Sequence, residues 1–145
     1  MTRRALEGWG LYAERLADEM GLYSSDVTRL GMLSTDAWRA ARLVVDTGLH
    51  SLGWTRQQTI DWMAAHVPMS QLEIESEVDR YIVMPGQALS YMVGRLELVA
   101  LRHEATERLG DKFAVRDFHD LILKTGPVAL PALRSAVTRW IDRRI

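Results

Sequence analysis

Cysteine is absent from the 145 residues. That excludes a disulfide framework, a thiolate metal site and a thiol nucleophile, and it fits a reducing compartment. An excess of either charge is also missing: 18 Lys+Arg stand against 19 Asp+Glu, for a net charge of −1. Without a basic surplus to neutralise phosphates, nucleic acid is not an expected partner. No apolar run approaches the roughly 20 residues of a membrane-spanning helix, so no membrane association is expected. The opening Met1-Thr2-Arg3-Arg4-Ala5-Leu6-Glu7 has basic residues but not the apolar stretch of a secretory signal. As written, the chain reads as cytoplasmic; a longer parent chain would carry an address not visible in these residues.

What is present suits a helical core. Apolar residues make up 48% and charged residues 26%, and a chain of this size typically buries roughly 68–70% of its unfolded surface. Spacings of three and four predict a first helix from about Arg3 to Met20, stopped by Gly21. A second spans about Asp26 to Ser51, with Leu33, Ala37, Ala40, Ala41, Val44 and Val45 as its apolar stripe. Thr55 with Gln58, and Ser70 with Glu73, are capping boxes that open the third and fourth helices. Gln87 to Leu109 reads as a fifth helix and Val115 to Lys124 as a sixth. A seventh starts near Pro131, a residue suited to a first turn. The fold expected is all-α, one helical domain of about seven helices. Alternation of the strand type is nowhere sustained, and no repeat or low-complexity segment occurs.

The first helix holds two candidate residues. Glu7 and Glu14 are seven apart, nearly on one face two turns apart. Between them Gly8 and Gly10 each cost about 1 kcal/mol relative to alanine in a helix, which calls for a compensating close approach of backbone or ligand. Spacing alone also fits a packed helix with two solvated glutamates.

The segment Glu7-Gly8-Trp9-Gly10-Leu11-Tyr12-Ala13-Glu14 resembles the Glu-Gly-aromatic-x-x-Tyr-x-Glu segment of gluzincin metallopeptidases, the aminopeptidase N group among them. It is more similar still to a bacterial domain-of-unknown-function family, number eight-eight-five, placed in the same clan. The resemblance extends through Arg42-Leu43-Val44-Val45-Asp46-Thr47-Gly48-Leu49-His50, Arg80-Tyr81, Pro85-Gly86-Gln87-Ala88-Leu89-Ser90-Tyr91 and Phe118-His119-Asp120. It implies the C-terminal part of a helical zinc-peptidase fold. In such a fold Glu7 would be the third zinc ligand and Glu14 would sit behind it or pack. A carboxylate beside two histidines leaves one position open for water, whose pKa the metal lowers. The substrate would be a peptide.

The histidines depart from that pattern. His50, His66, His103 and His119 are the only four, and none opens a His-Glu-x-x-His segment; four residues after His103 stands Glu107. One carboxylate does not hold catalytic zinc. The resemblance therefore implies that a missing N-terminal half or partner chain supplies the two histidines, with no tight zinc binding or peptide hydrolysis by this chain alone.

Three further sets of residues bear on function. Asp46 and His50 share a helix face at i and i+4; the pair serves either as a local ion pair at a helix C-terminus or as an oriented histidine near a cleft. Tyr91, after the Pro85-Gly86 turn, is the candidate phenol for an oxyanion, a role worth roughly 3 kcal/mol, and Arg80 a candidate for a substrate carboxylate. Tyr81 and Tyr91 also fit as core residues with satisfied hydroxyls. His66, His103, the His119-Asp120 pair, the Arg139, Arg143 and Arg144 cluster and the five tryptophans read as structural. The alternative to an enzyme part is a non-catalytic helical module that self-associates, as a homo-oligomer, through the face around Trp9 and Tyr12.

Overall fold

A computed structural model describes residues 3–145, with side chains from residue 6 onward; Met1 and Thr2, at the basic start, lie outside the described residues. The chain is all-α. Its helices are α1 (Arg3–Glu19), α2 (Asp26–Ser51), α3 (Arg56–His66), α4 (Gln71–Val83), α5 (Ser90–Leu109), α6 (Val115–Thr125) and α7 (Leu130–Asp142), with a 3-10 turn at Gly110–Lys112. They cluster into two compact units, residues 1–13 with 93–145, and residues 14–92. The boundary falls inside α1 and α5 and not in a linker.

Helix ends follow local chemistry. Gly21 adopts φ +66°. The Leu22 amide bonds the Ala17 carbonyl, and the Gly21 amide bonds the Asp18 carbonyl. This is the Schellman closure that glycine permits. The capping boxes at Thr55 and Ser70 form as expected. A third, missed because its N3 residue is Thr28 and not a Glu or Gln, opens α2 at Ser25.

Two expectations need correction. The fifth helix begins at Ser90, not Gln87: Gly86 has φ +74°, and residues 84–89 run as successive turns, with the Gln87 amide on Met84 and the Ser90 amide on Gln87. The apolar stripe of α2 holds only at Ala41 and Val45. The buried residues of α2 are Met32, Asp36, Ala41, Arg42, Val45, Asp46 and Gly48. Leu33, Ala37, Ala40 and Val44 are exposed. Three charged residues have taken core positions, and part of the apolar face looks outward.

In the 14–92 unit, Val45, Ile60, Met63, Ile74, Val78 and Tyr81 form the centre of a core between α2, α3 and α4, with Trp38, Trp54 and Trp62 packed against it. The Trp54 ring lies on Gly48, where a Cβ would come within 2.5 Å of it. In the other unit, Leu11, Leu98, Leu101, Phe118, Leu133 and Ile141 are buried. A Cβ on Gly8 would lie 2.4 Å from the Gly94 carbonyl carbon. The glycine therefore allows α1 and α5 backbones to touch. Gly10 has nothing within 4 Å, so its conformational cost has no such compensation.

Candidate functional site

Glu7 sits one residue before the Gly8–Gly94 contact, on a helix whose position is fixed there by backbone against backbone. Its side chain is half-buried and makes no hydrogen bond or ion pair among the described residues. Flanking it in sequence, Leu6 and Trp9 line an apolar groove of about 150 Å³ together with Ile122, Leu123, Gly126, Pro127 and Leu133. The Glu14 Oε2 is buried with no hydrogen-bond partner among the described residues.

Tyr12, in the same segment, has a different role from the exposed contact expected of a self-association face. It is buried at 2% exposure. Its hydroxyl lies 2.8 Å from His119 Nε2 and accepts a hydrogen bond from Arg102 at 3.1 Å. The His119 ring is edge-on to both Trp9 and Tyr12, with centroids 5.5 and 5.6 Å away. The Phe118-His119 segment therefore holds the Glu-Gly-Trp helix in place through a partly buried polar bond. Asp120 points elsewhere and pairs with Lys124 at 3.3 Å.

The second cluster lies within the 14–92 unit and is built from α2, α4 and the start of α5. Arg42 is 4% exposed. It donates from Nε to the Tyr81 hydroxyl at 2.9 Å and from Nη2 to Glu77 at 3.1 Å. The Trp38 indole N–H donates to the same hydroxyl at 3.0 Å, and Arg42 lies over the Trp38 ring at 4.2 Å. Arg80 holds Glu77 through two nitrogens, at 2.6 and 3.2 Å, and reaches the Gln87 side-chain oxygen at 2.7 Å. Burial would raise the Glu77 carboxyl, but bonds from Arg80 and Tyr81 and the charges of Arg80 and Arg42 outweigh it and hold the group below its ordinary value. Burial pushes the Tyr81 phenol up. Tyr91 is half-buried beside this group, with Arg42 and Arg39 at 5.0 and 5.5 Å from its ring centre. Its hydroxyl makes no hydrogen bond among the described residues.

Asp46 and His50 act separately, not as a bonded pair. His50 Nε2 donates to the Tyr81 carbonyl at 3.0 Å. Both Asp46 oxygens accept the Gly86 amide at 3.1 Å. Burial raises the Asp46 carboxyl, against the Gly86 bond and the His50 charge. Together the two residues fasten the end of α4 and the Pro85-Gly86 turn to α2, and so set where α5 begins at Ser90, just before Tyr91. His66 stacks on Trp62 at 4.1 Å, and His103 makes an exposed pair with Glu107.

Sequence reasoning missed Arg39 and Glu77. A signal was available for Glu77 alone, which precedes Arg80 by three on one helix face.

The profile of the family described as "Bacterial protein of unknown function (DUF885)" matches residues 1–137. No curated protein matches. The crystal structure of the "putative lipoprotein" from Colwellia psychrerythraea is similar with a TM-score of 0.93 and 43% sequence identity. The match covers 97% of this chain and 24% of that one, so the chain spans about a quarter of the solved protein's length.

Proposed function

Since the chain belongs to the bacterial family of unknown function DUF885, we propose that it is the C-terminal part of a zinc-peptidase-like protein and contributes Glu7 to a site completed by other residues of the parent chain or by a partner. The carrying observation is the Glu7 carboxylate. It is half-buried on a helix locked against α5 at Gly8–Gly94, and no group among the described residues engages it.

The described residues do not fit a zinc ion by themselves. No group of three His, Cys, Asp or Glu able to hold a metal occurs among them. A catalytic zinc needs three protein ligands with one position open, and one carboxylate supplies a third of that set. What this chain's own residues do is narrower. Gly8, Tyr12 and His119 fix the helix that carries Glu7, and Asp46, His50 and Gly86 fix the turn that precedes Tyr91. Tyr91 would serve the substrate, and Arg80, bonded to Glu77 and Gln87, would position Glu77.

Exposed apolar surface supports the same reading. Leu30, Leu33, Ala37, Ala40 and Val44 recur on α2 at alternating spacings of three and four, and all are exposed; Val27, a turn earlier, is 79% exposed. Such a stripe is the seam a helix offers to another helix. The structural relative carries about three quarters of its length outside the matched region, which is where a covering segment would lie.

The test joins this chain to the remainder of the Colwellia psychrerythraea protein in place of that protein's own matching quarter. Metal content and peptide cleavage are then measured with and without Glu7→Gln. Stoichiometric zinc and chelator-sensitive cleavage, both lost in Glu7→Gln, are expected. Zinc retained in full by the variant would refute the reading. Dimerisation of the isolated chain through α2, unaffected by the added remainder, would favour the self-associating module instead.

A further inference from the structure

The basic cluster of the 14–92 unit is unevenly neutralised. Arg42 and Arg80 share the one carboxylate, Glu77. Arg39 has none among the described residues. Its only hydrogen bond among them is from Nη1 to the Thr35 carbonyl on its own helix, at 3.2 Å, and the nearest acid in sequence, Asp36, is taken by Arg15 at 2.8 Å. The remaining N–H donors of Arg39 are uncommitted. The side chain is half-buried, 5.5 Å from the Trp38 and Tyr91 ring centres.

Two guanidiniums thus lie near one phenol ring, Arg39 and Arg42 at 5.5 and 5.0 Å from its centre, and among the described residues only Arg42 has a carboxylate partner, Glu77. Like charges so placed raise each other's energy, and a bound anion lowers it. A guanidinium offers its donors as a planar fork that matches a carboxylate. The free Tyr91 hydroxyl adds a further donor, and the indole a flat apolar wall. Arg80, by contrast, has Nε and Nη2 on Glu77 and Nη1 on Gln87, so each of its three nitrogens is already engaged.

We infer that Arg39, with Tyr91, forms a binding site for the terminal carboxylate of a peptide, and that Arg80 does not contact that carboxylate but positions Glu77. For the ligand's being a peptide, the inference rests on the function proposed above; the site itself needs no metal. It assigns the substrate end that is recognised: a free C-terminus held in the 14–92 unit.

The purified chain is titrated calorimetrically with N-acetyl-alanyl-alanine, with its C-terminal amide and with acetate, without metal. The free acid binds, the amide and acetate bind at least tenfold more weakly, and Arg39→Met loses at least tenfold in affinity for the acid. Arg39→Lys, which keeps the charge but not the fork, falls between. Far-ultraviolet melting of Arg39→Met stays within about 4 °C of the parent, since the replaced fork made one bond to its own helix and two ring contacts. Equal affinity for acid and amide, acetate binding as tightly as the dipeptide, no binding of the acid, or full affinity in Arg39→Met overturns the inference. None of these results bears on Glu7 and zinc, whose test has metal content as its readout, so the two proposals fail separately.

Discussion

Replacing Gly8 by alanine puts the packing of the Glu7 helix to a quantitative test. In an exposed helix the change gains up to about 1 kcal/mol from helix propensity. Here the added Cβ would lie 2.4 and 2.5 Å from the carbonyl carbon and Cα of Gly94 and 2.8 Å from the Arg95 amide nitrogen. All three are backbone atoms, so no side-chain rotation relieves the clash and one helix must move. Overpacking of this kind costs about 1–3 kcal/mol. With a backbone wall the upper end applies, and about 2 kcal/mol of net destabilisation remains after the propensity gain. For a chain near 150 residues each kcal/mol shifts the melting temperature by about 2–4 °C, so Gly8→Ala should melt about 4–8 °C lower. Gly10→Ala is the internal control. Two residues along the same helix, with nothing within 4 Å of its Cβ, it should gain up to about 1 kcal/mol and melt higher. Thermal unfolding followed by circular dichroism measures both. A Gly8→Ala variant as stable as the parent would refute the backbone contact and, with it, the fixed position of Glu7.

Other perturbations follow from the same geometry. Tyr12→Phe removes the hydroxyl that bonds Arg102 and His119 in a buried setting; it should cost about 1–2 kcal/mol in urea unfolding, and an unchanged midpoint would count against that role. Thr55→Ala breaks the α3 capping box and should cost about 1 kcal/mol by the same assay. Burial raises the Asp46 carboxyl in the fold. The native state therefore holds this proton more tightly than the unfolded chain, and the group's contribution falls as pH rises from about 4, its unfolded value, through the raised folded one. Asp46→Asn, which keeps an acceptor for the Gly86 amide, should flatten that limb relative to the parent; parallel pH–stability curves would show the shift to be absent. Glu77 runs the other way. Its folded value is lowered, so its stabilisation is present above about 4.3, the ordinary glutamate value, and is lost as pH falls through the folded one, a loss that Glu77→Gln should abolish.

Much of the architecture was legible because helix ends are written in few residues. Thr55 with Gln58, Ser70 with Glu73 and Gly21 each mark a terminus through a local hydrogen bond that needs no tertiary context. The start of α5 was not legible, since what unwinds residues 87–89 from the helix is a turn tied to Asp46, 40 residues earlier. The stripe of α2 misled for a related reason. Asp36, Arg42 and Asp46 are buried only because Arg15, Glu77 and Gly86 meet them there, and pattern reading assigns charged residues to the surface. The Glu-Gly-Trp segment was visible as a motif, whereas the bonding of Tyr12 to His119, 107 residues away, was not. Arg80 stood out beside Tyr81 in the sequence, but its donors proved committed to Glu77 and Gln87; Arg39, one residue after Trp38, carried no motif and emerged only from its lack of an acid.

The central claim is that Glu7 is one ligand of a metal site whose other ligands lie outside these residues. The most direct measurement is zinc binding by calorimetry, first to the chain alone and then to the chain joined to the remainder of the Colwellia psychrerythraea protein, each with and without Glu7→Gln. The account predicts no sub-micromolar site in the chain alone, a one-to-one site in the joined protein, and its loss in the Glu7→Gln form. Sub-micromolar zinc binding by the chain alone, or undiminished binding in the joined Glu7→Gln protein, would contradict it.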